Sequence, residues 1–120
     1  MRCLIVDDNE AFLASASRLL LTQGLEIVGR ALTGAEALRL ARQLKPDVAL
    51  VDVQLGGEDG LEVTRRLAST APATRVILIS SHSTDELGEL IADSPAAGFL
   101  PKPALGADAI AKLLGQRDSR

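Results

Sequence analysis

Cys3-Leu4-Ile5-Val6-Asp7-Asp8 is a short apolar run that ends in a pair of carboxylates, and the same design returns along the chain. Val48-Ala49-Leu50-Val51 runs into Asp52, Val76-Ile77-Leu78-Ile79 into Ser80, and Gly98-Phe99-Leu100-Pro101 into Lys102-Pro103. Short apolar runs separated by stretches of helical period read as parallel strands buried on both faces. In open α/β sheets, ligands bind in the crevice outside the carboxyl ends of such strands. The pattern therefore predicts that three carboxylates, a hydroxyl and an ammonium meet at one edge of a sheet.

Between these runs the period changes from two to that of a helix. Phe12, Ala16, Leu19 and Leu20 recur at helical spacing and predict a first helix over roughly 9–23, with Gly24 as a left-handed stop. Residues 25–31 alternate like a strand near a sheet edge, and Thr33-Gly34-Ala35-Glu36 is a capping box for a second helix ended by Pro46. Gly56-Gly57-Glu58-Asp59-Gly60 has loop chemistry and leads into a third helix that buries Leu61, Val63 and Leu67 before Pro72 stops it. A fourth strand over 75–80 follows. Ser83-Thr84-Asp85-Glu86 is a second capping box, opening a fourth helix through Leu87, Leu90 and Ile91 that ends before Ser94-Pro95. A short fifth strand and a last helix through Ala109, Ile110, Leu113 and Leu114 complete the series. Five βα units with short links predict an α/β fold, a flavodoxin-like (βα)5 doubly wound parallel sheet of strand order 2-1-3-4-5. Its switch point lies between strands one and three, where Asp8 and Asp52 would flank the crevice.

The chain of 120 residues is of the size of one domain, so 1–120 is read as a single unit. Its formal charge of −3 is spread over interspersed acids and bases, without the basic block that tracks nucleic-acid phosphates. Direct binding to nucleic acid is not expected. Cys3 is the only cysteine, which excludes a disulfide framework and a cysteine metal cluster. No apolar stretch approaches the ~20 residues of a membrane span, and a reducing, cytoplasmic setting is expected.

Carboxylates brought together repel one another unless a cation relieves them. Asp7, Asp8 and Asp52 therefore ask for a hard divalent ion, Mg²⁺ or Mn²⁺, which takes oxygen ligands only. Such a set suits phosphoryl transfer, where catalysis is mainly positioning and charge neutralisation, and a carboxylate can itself become an aspartyl phosphate. Lys102 would add a positive charge for a phosphoryl oxygen and Ser80 a hydroxyl donor. Taken singly, each residue also has a plainer reading: an Asp after a strand is commonly a turn former or cap, and a lone lysine is commonly a solvated surface group. Phe99 and Cys3 read as core, and Asp85, Glu86, Glu89 and Asp93 as a solvated helix face. It is the joint placement that carries the chemical reading.

Over nearly its whole length the chain resembles the receiver domains of bacterial two-component response regulators. The resemblance rests on Val6-Asp7-Asp8-Asn9-Glu10, Val51-Asp52-Val53-Gln54-Leu55, Asp59-Gly60-Leu61-Glu62 and Gly98-Phe99-Leu100-Pro101-Lys102-Pro103, in that order and at family-like spacing. It implies that Asp52 is the phosphoacceptor, that Asp8 ligates Mg²⁺ directly and Asp7 largely through water, and that the Gln54 main-chain carbonyl completes the metal shell. It implies that Ser80 and Lys102 hold the phosphoryl group, and that Phe99 occupies the place of a switch aromatic. Phe99 has no phenolic hydroxyl, so switching would rest on packing and rearrangement of the fourth helix and fifth strand. Gln54 and His82 match positions that tune dephosphorylation. The implied partners are a sensor histidine kinase or a histidine phosphotransfer protein, and a downstream protein that reads the face of the fourth helix, fifth strand and fifth helix. The same face could pair two copies as a homodimer. No output domain follows the fifth helix, so the chain reads as a stand-alone regulator, a phosphorelay intermediate, or the receiver part of a longer protein. It would catalyse its own phosphorylation and dephosphorylation without being a dedicated enzyme. Gly56 stands where the family often has Pro, and Glu58 where it often has an apolar residue, which predicts a looser, more acidic loop after Asp52. Ser94-Pro95 replaces a common helix-capping glycine and predicts a shortened or redirected fourth helix.

Three other readings compete. A flavin carrier of similar fold would need a phosphate-cradling loop after strand one and aromatics to stack the ring, but Asp7-Asp8 stands there and the chain has no Trp or Tyr. A haloacid-dehalogenase-like hydrolase would want a second Asp where Gln54 stands. A degenerate receiver, acting as a phosphorylation-independent protein-binding scaffold, is the alternative closest to the main reading.

Overall fold

The structure is a computed structural model that describes residues 1–81 and 88–118, with side chains described to residue 115. Strand β1 (Arg2–Val6) leads into helix α1 (Glu10–Thr22), β2 (Glu26–Ala31), α2 (Gly34–Leu44) and β3 (Val48–Asp52). A small pair, β4 (Gln54–Leu55) and β5 (Glu58–Asp59), precedes α3 (Gly60–Thr70). Then come β6 (Arg75–Ser80), α4 (Gly88–Ala92), β7 (Gly98–Pro101), a single 3-10 turn (Lys102–Ala104) and α5 (Ala107–Asp118). The main sheet is parallel with the order β2-β1-β3-β6-β7, which is the expected 2-1-3-4-5 once β4 and β5 are set aside.

Strand periodicity sorts the core into two clusters. Cys3, Ile5, Val48, Leu50, Ile77 and Ile79 face one way, against Leu13, Ala16 and Leu20 of α1 and Ile110 and Leu114 of α5. Leu4, Val6, Ala49, Val51, Val76 and Leu78 face the other, against Ala37 and Ala41 of α2 and Leu61, Val63 and Leu67 of α3. Each fully buried Leu, Ile or Val contributes about 1.5–3 kcal/mol. Burial on both faces is why the strands read as continuous apolar runs rather than alternating ones.

The helix boundaries follow local chemistry. Asn9 caps α1 by accepting from the Phe12 amide at 3.1 Å. At the other end, Gly24 with φ +98° lets the Leu25 amide reach the Leu20 carbonyl and its own amide reach that of Leu21, a Schellman closure. The buried stripe of α1 is Leu13, Ala16, Ser17 and Leu20, so Leu19, expected inside, instead faces solvent. Adjacent Leu19 and Leu20 lie about 100° apart on a helix, and only one of them can point at the sheet. Thr33 caps α2 by accepting from the Glu36 amide at 3.2 Å, while Glu36 accepts from the Leu32 amide at 2.8 Å. The capping box therefore closes one residue further out than its usual form. Strand β2 lies at the sheet edge and carries a bulge opposite Cys3/Leu4.

The segment after Asp52 differs from the loose loop expected. Gln54 pairs with Asp59 and Leu55 with Glu58, joined by Gly56-Gly57. Gly56 has φ +60°, the left-handed conformation that two-residue hairpin turns require. Leu55 is buried and anchors this hairpin in the core. The capping box at Ser83-Thr84-Asp85-Glu86, together with His82 and Leu87, lies outside the described residues. From Gly88 the fourth helix runs to Ala92 and ends before Ser94-Pro95, as expected. Ser94 closes it, its hydroxyl donating to the Ile91 carbonyl at 2.7 Å and accepting from the Ala96 amide at 3.3 Å.

Candidate functional site

Parallel order places the ends of β1, β3, β6 and β7 along one edge, and the residues that follow those strands converge there. Asp7, Asp8, Asn9, Asp52, Gln54, Gly56, Ser80, Ser81 and Lys102 line one open cavity of about 320 Å³. Five of the expected side chains, Asp7, Asp8, Asp52, Ser80 and Lys102, are thus brought together at this edge. Phe99 is not in that cavity: it is half-buried in β7 and packs on the cluster shared with α2 and α3.

Asp7 is fully buried, Asp52 nearly so, and Asp8 is exposed at the mouth. One carboxylate oxygen from each lies within 4.8 Å of the others. The Lys102 ammonium bridges the two inner acids, at 2.7 Å from Asp7 Oδ2 and 3.0 Å from Asp52 Oδ2. Burial alone draws the Lys102 pKa down, but hydrogen bonding and attraction from Asp7 and Asp52 outweigh it and hold the pKa above the ordinary lysine value. The remaining carboxylate oxygens are held by main-chain amides. Asp7 Oδ1 accepts from Asn9 at 2.9 Å and Asp52 Oδ1 from Gln54 at 3.0 Å.

These donors suit a hard divalent cation. All are oxygens, three carry charge, and Asp7 Oδ2 is a buried atom met at 2.7 Å by the Lys102 ammonium. Lone pairs on that oxygen remain for a second cation, and one lysine does not balance three carboxylates.

Two features of the site carried no signal in the sequence as a functional pair. The Phe12 ring, in the first turn of α1, lies 4.3 Å from the Lys102 ammonium, a cation–π contact. Gly60 opens α3 against the end of β3, where a Cβ would stand 2.0 Å from the Asp52 carbonyl oxygen. Helical spacing marks Phe12 as a packing residue, and Gly60 reads as loop chemistry and as part of the Asp59-Gly60-Leu61-Glu62 stretch that carries the resemblance, neither as a partner of the site.

Residues 3–114 match the family model of the response regulator receiver domain. The chain belongs to this family. The receiver domain is 37% identical over 105 residues to the response regulator GacA of Pseudomonas aeruginosa, an alignment that covers 87% of this chain and 49% of that protein. It spans about half the length of such curated relatives. The structure described as the signal receiver domain of response regulator NarL from Mycobacterium tuberculosis superposes with a TM-score of 0.83 at 34% identity, covering 99% of this chain and 97% of that one. A Burkholderia pseudomallei response regulator, solved with a phosphorylated aspartic acid, a calcium ion and citrate, gives 0.82 at 27% identity over 98% of this chain and 72% of that one. The flavodoxin-like architecture and membership of two-component signalling are thereby established for the receiver domain. Among its described residues no helix is long and apolar enough to cross a membrane.

Proposed function

We propose that the receiver domain takes a phosphoryl group from a partner phosphohistidine onto Asp52 and signals by changing the face formed by α4, β7 and α5. The observation that carries this reading is the cavity in which three carboxylates lie within 4.8 Å and Lys102 bridges two of them. A carboxylate oxygen of Asp52 would attack phosphorus as the phosphorus–nitrogen bond breaks, and the imidazole would leave with the bonding pair and regain its proton from solvent. Asp7, Asp8, Asp52 and the Gln54 main-chain carbonyl would hold Mg²⁺ or Mn²⁺. Bound there, the ion supplies neutralisation of the phosphoryl oxygens.

Lys102 would exchange its contact with Asp52 for a phosphoryl oxygen while keeping that with Asp7. Ser80, buried at the cavity wall, would donate its hydroxyl to another such oxygen. Phe99 pairs in register with Leu78, two residues before Ser80, so movement of Ser80 toward the phosphoryl group would be felt in the packing beneath Phe99. The exposed Gln54 side chain stands at the mouth, where it could order or exclude the water that removes the group. The donor would be a sensor histidine kinase or a histidine phosphotransfer protein. The chemistry is self-phosphorylation and self-dephosphorylation, with no turnover of a separate metabolite.

Treatment with acetyl phosphate and Mg²⁺ should give one acid-labile phosphate adduct by intact mass spectrometry, absent from Asp52→Asn. Beryllofluoride with Mg²⁺ should shift the amide resonances of Asp8, Gln54 and Ser80. A wild-type chain that forms no adduct under either condition would replace this reading with that of a phosphorylation-independent scaffold. Phosphotransfer from a panel of histidine kinases would then identify the partner.

A further inference from the structure

We infer that Glu58 is a positioning residue for the metal end of the site, acting by tying the β4–β5 hairpin to the N-terminus of α2. The inference rests on the proposed phosphoacceptor reading and deepens it. Glu58 Oε1 accepts from the Gly34 amide, the first of α2, at 2.9 Å. That amide is one of those an α-helix leaves without an internal partner, and a carboxylate there also meets the positive end of the helix dipole. The approach is close enough to specify glycine. A Cβ at Gly34 would stand 3.0 Å from Glu58 Oε2 and 2.8 Å from Val63 Cγ2.

The hairpin so held is a strap along the cavity. The next residue, Asp59, caps α3 by accepting from the Leu61 amide at 3.0 Å. On the strand and turn that precede Glu58 lie Gln54, whose amide holds Asp52 Oδ1, and Gly56, whose Cβ position is 3.4 Å from Asp8 Oδ2. A two-stranded pair of two residues each has little stability of its own. Val53, just before the hairpin, is fixed to the sheet and to α3, its amide donating to the Ile79 carbonyl at 2.9 Å and its carbonyl accepting from the Gly60 amide at 2.8 Å, so the stretch that depends on the Glu58 tie is the hairpin from Gln54 to Glu58, which borders Asp8. Without that tie the metal donors lose their preorganisation, although Glu58 itself touches none of them.

The test is a Mg²⁺ titration of the whole chain followed by amide NMR shifts, at fixed ionic strength, for wild type, Glu58→Gln, Glu58→Ala and Gly34→Ala. Glu58→Ala should weaken Mg²⁺ binding about tenfold, the low end for loss of a supporting partner around a metal site, and should speed hydrogen exchange of the Gly34 amide. Glu58→Gln keeps an oxygen acceptor and should stay within about threefold of wild type, its missing charge being screened by salt. Gly34→Ala keeps the carboxylate but drives a methyl group between it and the helix, and should weaken binding in the same direction. Unchanged affinity in Glu58→Ala or Gly34→Ala, even with a lower melting temperature, overturns the inference, because Glu58 would then serve the fold alone. Equal losses in Glu58→Gln and Glu58→Ala overturn it in favour of a pure charge effect. A wild type that shows no Mg²⁺ response sinks the phosphoacceptor reading itself, and the two failures are told apart by which protein fails.

Discussion

Lys102 is the residue on which the resting charge balance turns. Its ammonium is the cation between a fully buried Asp7 and a nearly buried Asp52, and removing one partner of such a group leaves the other charges uncompensated. Lys102→Ala should lower stability in urea by about 3 kcal/mol without divalent ions, and saturating Mg²⁺ should restore most of the loss. Equal midpoints for variant and wild type in chelator would contradict this. Alkaline pH should act in the same direction. Lys102 has a raised pKa, so its contribution is complete below the ordinary lysine value and is lost as pH rises through the raised one. Burial pushes the Cys3 thiol up to about 12, a shift the chain's amino terminus only slightly offsets. The unfolded chain therefore ionises this thiol first, and urea midpoints should begin to fall near pH 9, a fall that Cys3→Val should delay to the lysine range. The meeting of Asp7, Asp52 and Lys102 was legible in the sequence because each stands at the end of an apolar strand. The contact of Phe12 with Lys102 was not, since helical period reports which face is apolar and says nothing of what lies across the sheet edge.

At the scale of elements, the site is held where short segments meet strand ends. Gly60 is the tightest of these joints: its amide donates to the Val53 carbonyl at 2.8 Å and its Cβ position collides with the Asp52 main chain. Gly60→Ala should cost about 3 kcal/mol or more in urea denaturation, because either α3 or the end of β3 must move, whereas Gly57→Ala, with open space around its Cβ position, should cost under about 1 kcal/mol. The first three helices and all five main strands were readable from period, caps and prolines. The hairpin is not legible in the sequence, because two-residue strands have no period to detect and Gly56-Gly57, which has plain loop chemistry, is the hairpin turn. Glu58, which looked like added loop acidity, is instead spent on a helix end. The end of α4 before Ser94-Pro95 was legible, and there a serine hydroxyl supplies the closure a glycine conformation would otherwise give.

Over the whole molecule, one sheet separates two apolar clusters, and every strand of β1, β3 and β6 contributes to both. Neither cluster can be lost without exposing the other face of the same strands, and we propose that residues 1–120 unfold as one cooperative domain. Far-ultraviolet circular dichroism and methyl resonances from the two clusters should give a single urea midpoint, and distinct midpoints would divide the domain. Sheet order and layering were legible because they follow from alternating βα units and right-handed crossovers. The aromatic economy of the chain has its own effect. With two phenylalanines and neither Trp nor Tyr, the ring at position 12 has few competitors for influence over its surroundings. Ring currents from it should move the methylene protons next to the ammonium it faces upfield, so departure of that ammonium toward an incoming anion would register as a return to ordinary shifts, a built-in spectroscopic witness that needs no dye.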